Sequence, residues 1–172
     1  MNIQTNNVYT GEEAFEAMLK GVSLVAKAIR PGYGPGGINA HIEVDDYPYQ
    51  VVSNDAQTII QTIESTDILE KRGLSMMKEL SDKAHKDSGD GRKTTIILAD
   101  EILQNGRGNT RLNKELQEHI PILKKELEAI TTPIDIKEIG KVATIASESK
   151  ELGDTIQEIY SKIGKDGRSY GF

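Results

Sequence analysis

Two glycine-rich breaks, GYGPGG at Gly32–Gly37 and SGDG at Ser88–Gly91, constrain this chain most, because each ends a long amphipathic helical repeat. Before the first break, Phe15, Met18, Leu19, Val22, Val25, Ala26 and Ile29 recur at helical spacing, and Pro31 stops the pattern. Thr10 followed by Glu13 reads as a capping box opening that helix. Before the second break, Leu69, Gly73, Met76, Met77, Leu80 and Ala84 form a stripe on a helix expected from about Asp67 to Ser88. Glycines in such positions reach positive φ and let another group approach the main chain closely. The two breaks are therefore the places where a helical body could meet a ligand.

Between them the period changes. Ile38, Ala40, Ile42 and Val44 alternate with polar residues, DDYP turns the chain, and Tyr49 to Ser53 returns, which predicts one β-hairpin. A lone hairpin is marginal in water and needs packing partners. Asn54 and Asp55 are placed to cap a short helix carrying Ala56, Ile59, Ile60 and Ile63. After Gly91 the segment TTIILADEIL restarts the helical period until about Gly106. A further helix is expected from about Asn113 with Leu116, Ile120, Leu123, Leu127 and Ile130 inward and a kink at Pro121. Pro133 marks a domain boundary, dividing 1–132 from 133–172, and Ile136–Ala146 and Leu152–Ile163 predict two more helices. The fold class is mainly α, a multihelical bundle with a small β-hairpin.

Composition narrows the function classes. The 172 residues contain no cysteine, which excludes disulfides and cysteine-ligated zinc and suits a reducing compartment, so a cytoplasmic location is the expectation. A formal charge of -6 with Lys and Arg scattered among acids gives no basic stripe, arguing against nucleic acid and anionic membranes as partners. The start MNIQTNNVYTG lacks the basic and apolar regions of a secretory signal, and no apolar run approaches the roughly 18 residues of a membrane span. His41, His85 and His119 lie in unrelated elements without metal-ligand spacing and read as ordinary surface or strand residues. Ser147 and Ser149 have no nearby base.

The second break carries the chemistry. A helix start presents unpaired N–H groups backed by the positive end of the dipole, so anions bind there. Gly89, Asp90 and Gly91 stand at such a start, with Thr94 and Thr95 able to add hydroxyl donors. An aspartate beside a phosphate is repulsive by roughly 1 kcal/mol at 4 Å even in bulk water, which makes sense of Asp90 mainly with magnesium between them. The plain alternative is that Asp90 caps a helix and the glycines turn the chain. GDGRKTT is not a P-loop, because Lys93 is separated from Gly91 by Arg92 and the earlier glycine is missing.

The ordered series GYGPGGIN, VSNDA, GDGRKTTIILADEI, VATIAS and KIGKDG resembles the chaperonin family of the GroEL and thermosome type, whose motifs are LGPKGRN, ITKDG, GDGTTTATVLA and KVGKEG. The resemblance implies the N-terminal half of an equatorial, ATP-binding domain over 1–132 and the start of an intermediate domain over 133–172. It implies ATP and Mg2+ as cofactors, identical or related subunits in a ring, and non-native client proteins. Carried onto this sequence, it places Gly34 and Pro35 in the nucleotide-binding loop, Gly89, Asp90, Gly91 and Thr94 in the phosphate and magnesium loop, and Asp55 as the carboxylate assisting hydrolysis.

The chain departs from that pattern where charge matters. Asn54 stands where the family has lysine, and Arg92 and Lys93 replace two threonines of GDGTTT. Two readings stay open: the lost cation is supplied from the helix start by Arg92 or Lys93, or the site has stopped turning over ATP and the chain is a non-hydrolysing scaffold. The resemblance spans about the first third of a family member, so an apical domain and the family's later catalytic aspartate are expected outside this segment. The segment alone is expected to be a poor ATPase and to associate through uncovered apolar faces.

Overall fold

The structure, a computed structural model, describes residues 8–43, 50–164 and 167. Among them are seven α-helices and one two-stranded antiparallel sheet. The chain divides into two compact units, Met1–Thr110 and Arg111–Phe172.

The first unit is built on α1 (Glu12–Ile29). Its inner face is Leu19, Val22, Val25, Ala26 and Ile29, as the periodicity predicts, whereas Phe15 is exposed. The expected capping box does not form: Gly11, at φ 86°, is the N-cap and no side chain caps the helix. The helix therefore starts beyond Thr10, and a positive-φ glycine sets the entry of the chain instead. A 3-10 turn, Arg30–Gly32, extends α1 into the first glycine break. Strands β1 (Ala40–Ile42) and β2 (Val51–Ser53) pair with Ala40 opposite Ser53 and Ile42 opposite Val51. The hairpin is present but its ladder is shorter than predicted, and most of the predicted turn and strand ends, 44–49, lies outside the described residues.

Helix α2 (Ala56–Thr62) is capped by Asp55 and α3 (Ile68–Ser88) by Asp67, each carboxylate accepting from N–H groups of the first turn. Helix α4 (Arg92–Asn105) follows α3 after three residues. One core gathers Val25 and Ile29 of α1, Ile42 of β1, Ile59 and Ile60 of α2, Met77 of α3 and Ile96 of α4. Fully burying a side chain of this size contributes about 1.5–3 kcal/mol. Of the two methionines read as core, Met77 is buried and Met76 is 53% exposed, because the inner face of α3 runs through Gly73, Leu74, Met77 and Ser81. Glycines bring α1 and α3 into backbone contact: a Cβ on Gly21 would lie 2.1 Å from the Glu70 carbonyl oxygen, and one on Gly73 would lie 2.0 Å from that of Met18.

The second unit holds α5 (Leu112–Ile130), α6 (Ile139–Ser147) and α7 (Lys150–Ile163), with a 3-10 turn, Ile136–Glu138, before α6. Gly140 and Gly153 let α6 and α7 pack closely, and the Gln157 amide accepts from Gly140 N–H and donates to the Ile136 carbonyl, both at 2.8 Å. Helix α5 continues through Pro121 as one helix and contains no buried residue. Ile120, Leu123, Leu127 and Ile130, expected inward, are 53–77% exposed. The period identifies an apolar face correctly but does not say what covers it. The units divide at 110/111, ahead of α5, whereas the sequence boundary at 132/133 falls behind it.

Candidate functional site

The connection after α1 is a closed loop. Tyr33 N–H donates to the Arg30 carbonyl at 3.1 Å, Gly37 N–H to Gly34 at 3.0 Å, and Ile38 N–H to Pro31 at 2.9 Å. Gly34, at φ 82°, faces open space, as do the exposed Pro35 and Gly36 beside it. Gly32 is buried, and Gly37 is packed so that a Cβ would lie 2.6 Å from the Gly32 carbonyl oxygen. The loop is therefore tight at its base and open at its tip.

The second break has the opposite construction, a turn of positive-φ glycines joining two helices. Gly89, at φ 78°, ends α3 with its N–H on the His85 carbonyl at 2.7 Å, and Gly91, at φ 84°, is the N-cap of α4. Neither would have a neighbour within 4 Å of an added Cβ. Asp90 folds one carboxylate oxygen onto Gly91 N–H at 2.6 Å, and its carbonyl accepts from the Ser88 hydroxyl at 2.9 Å. No side chain caps α4, so the N–H groups of its first turn keep their capacity for an anion.

The two breaks meet. Lys93, on the first turn of α4, donates its ammonium to the Gly32 carbonyl at 2.7 Å. That carbonyl belongs to the last turn of the α1 extension, where the helix dipole is negative, so a cation is favoured there whether or not a ligand binds. The Thr94 hydroxyl approaches the Tyr33 hydroxyl at 3.4 Å, a long contact. The segment before α2 joins them: a Cβ on Gly32 would lie 3.5 Å from Lys93 Nζ and 4.0 Å from the Asn54 carbonyl oxygen.

Asp55 follows Asn54 directly. One of its carboxylate oxygens accepts from the Thr58 N–H at 2.7 Å and the Thr58 hydroxyl at 2.9 Å. The Thr58 N–H is the main reason the carboxyl sits below the ordinary aspartate range, and the Thr58 hydroxyl and the charges of Arg92 and Lys93 act in the same direction against partial burial. Asp55 thus lies within the electrostatic reach of the second break.

Of the two basic residues read as substitutes for the missing lysine, the structure brings Lys93 to the junction and turns Arg92 elsewhere. The Arg92 guanidinium donates to Asp82 at 2.7 Å and to the buried Ser81 hydroxyl at 3.2 Å, both on α3. Sequence reasoning had no signal for this, since Ser81 and Asp82 stand ten or more residues upstream. It also missed Tyr33, Arg30 and Asp100, whose roles depend on which helix faces meet.

The donor set fits a magnesium-bound polyphosphate. Among the described residues no group of three His, Cys, Asp or Glu side chains could hold a metal ion. Magnesium, however, is commonly held by one or two carboxylates together with phosphate oxygens and water, which leaves Asp90 a sufficient protein contribution. Open glycines, an uncapped helix start and one ammonium at the same junction are the kinds of group that could receive phosphate oxygens. Among the described residues no helix is long and apolar enough to cross a membrane.

The fold is similar to the chaperonin gp146 from the bacteriophage EL 2 (Pseudomonas aeruginosa), crystallised in presence of ATP-BeFx. In crystal form II the TM-score is 0.76 at 19% identity, covering 93% of this chain and 30% of that one. In crystal form I the TM-score is 0.74 at 20% identity, covering 88% and 28%. This chain therefore spans about 30% of the length of the structures it matches. Residues 25–163, which include both glycine breaks and most of each unit, match the TCP-1/cpn60 chaperonin family, and the chain belongs to that family.

Proposed function

We propose that the first unit supplies half of the magnesium-ATP site of a chaperonin subunit that assists folding of non-native proteins within a ring of identical or related subunits. The observation that carries this reading is the junction of the two glycine breaks at the Lys93–Gly32 hydrogen bond. When bound, ATP would supply the free energy of phosphoryl transfer to water. The chain's residues bind and orient. Gly34 and Pro35 form the open loop tip for the nucleotide, and Gly89 and Gly91 leave the backbone accessible. The N–H groups of Arg92, Lys93 and Thr94, the Thr94 hydroxyl and the Lys93 ammonium would hold phosphate oxygens, and Asp90 would hold the magnesium. Asp55, kept ionised, is suited to accept a hydrogen bond from the attacking water rather than to store a proton.

In the same reading, residues 1–132 belong to the nucleotide-binding domain and 133–172 begin the next, with a cytoplasmic location. Helix α5 is assigned to the first by sequence, although it groups in space with the second unit. A second reading, a non-hydrolysing scaffold, is favoured by the engagement of Arg92 with Asp82, which leaves a single cation where the family's motifs place a lysine and hydroxyls.

Titration calorimetry with Mg-ATP tests the nucleotide reading, and multiple-turnover phosphate release by the assembled protein separates it from the non-hydrolysing scaffold. Binding by the wild type, weakened about tenfold or more in Lys93→Ala because a charge-assisted hydrogen bond is lost, is the expected result. Absence of binding at millimolar Mg-ATP would overturn the nucleotide reading.

A further inference from the structure

The junction has a second tie, deeper than Lys93 and outside the residues that would touch a nucleotide. Arg30, in the turn that enters the first break, donates to Asp100 of α4 at 2.9 Å, and Asp100 is only 6% exposed. The other Asp100 oxygen accepts from the Ser23 hydroxyl of α1 at 2.9 Å, and the Gln104 amide donates to Ser23 at 2.7 Å. Arg30 also reaches Glu101 at 2.6 Å on the outer side.

The two ties differ in kind. Lys93 binds a neutral carbonyl through one hydrogen bond, and a phosphate would compete for the same ammonium. Asp100 and Arg30 carry opposite full charges, and the carboxylate is shielded from water, so this tie resists exchange. Asp100 lies two turns along α4 from the loop, about 12 Å at 1.5 Å per residue. It therefore holds the axes of α1 and α4 and not the loop tips.

We infer that Asp100, with Arg30 and Ser23, is a positioning clamp that keeps the two glycine breaks together when Lys93 leaves the Gly32 carbonyl for a phosphate. The inference rests on the proposed nucleotide reading and adds residues that touch neither nucleotide nor metal. Without the clamp, binding would draw away the other charged tie, and apolar packing alone would have to hold the loops together as the ligand arrived. With it, the Lys93 exchange costs no loop order.

The chain has no cysteine, so spin labels at Ile38→Cys and Lys86→Cys, both exposed, would report the separation of the breaks by dipolar electron spin resonance in the full chain. In the otherwise wild-type protein the distance distribution should stay narrow with and without Mg-ATP. Asp100→Asn should match it without nucleotide, broaden on adding Mg-ATP, and bind Mg-ATP about tenfold more weakly. A purely structural role would not make the loop separation depend on nucleotide. Wild-type affinity and an unchanged distribution in Asp100→Asn with Mg-ATP would overturn the clamp.

If the wild type binds no Mg-ATP, the nucleotide reading fails, and the clamp is judged on the double variant Lys93→Ala/Asp100→Asn without nucleotide. Separation beyond either single variant supports it, and no added separation refutes it. Should Asp100→Asn lose its helical circular dichroism, Ser23→Ala, which removes one hydrogen bond from the same carboxylate, is read by the same criteria.

Discussion

Replacing Gly73 with alanine should disrupt the crossing that brings both glycine breaks to one place. Helix α1 delivers the first break and α3 the second, and they touch where a Cβ on Gly73 would lie 2.0 Å from the Met18 carbonyl oxygen and 3.0 Å from Val22 N. That is about 1.5 Å inside van der Waals separation, and the opposing atoms are backbone, so no rotamer change relieves the clash. Alanine's better helix propensity contributes about 1 kcal/mol in favour. Overpacking of a rigid contact opposes it with about 3 kcal/mol, the upper end of its usual range. The net expectation is about 2 kcal/mol of destabilisation, or roughly 8–16 °C in Tm for a unit of this size. Differential scanning calorimetry of the wild type, Gly73→Ala and Gly36→Ala measures it. Gly36 has no positive φ and nothing within 4 Å of an added Cβ, so its variant should be neutral or slightly stabilised. A Gly73→Ala transition within about 2 °C of wild type would refute the close-crossing argument.

Other outcomes follow from the same contacts. Asp55→Ala should lose about 1 kcal/mol as an N-cap, measured by urea unfolding, and a smaller loss is expected for Asp55→Asn, which can still cap. Because the Asp55 carboxyl is held below its ordinary value, its contribution is complete above the unfolded value near 4 and is lost as pH falls through the lower folded one; Asp55→Asn should flatten that part of the Tm against pH curve, and an identical curve would contradict it. Arg92→Ala, whose guanidinium faces Asp82, should change Mg-ATP affinity by less than about twofold while Lys93→Ala changes it about tenfold, and equal losses in calorimetry would place both cations at the phosphates. The exposed Ile120, Leu123, Leu127 and Ile130 of α5 should drive concentration-dependent self-association in sedimentation velocity, reduced in Leu123→Lys/Leu127→Lys; a dilution-independent wild-type monomer would contradict this.

Much of the fold is local and therefore readable. Asp67 and Asp55 sit where side-chain oxygens cap α3 and α2, and Gly89 and Gly91 mark helix ends because they adopt positive φ. What escaped the sequence is relational. The seam between Gly21 and Gly73 exists only once α1 meets α3, and a glycine inside a helical period reads first as a weak position. Ser81 and Asp100 are buried, and Arg92 and Arg30 reach them from distant turns, which no spacing rule encodes. For α5 the period was legible but its covering was not, since amphipathicity names a face and not its neighbour. At the site, the glycine breaks and Asp90 could be named in advance. That Lys93 and not Arg92 would bridge them could not, because adjacent residues on a helix point about 100° apart and tertiary contacts decide which faces the loop.

Manganese-ATP used as a paramagnetic probe, with backbone amides followed in 15N-labelled protein, asks most directly whether both breaks surround one triphosphate. The account expects amides of Gly32–Gly37 and of Gly89–Thr94 to broaden together at the same low manganese-ATP ratio, while those of residues 12–15, at the far end of α1, stay sharp. Broadening confined to one break, or to neither, would contradict it.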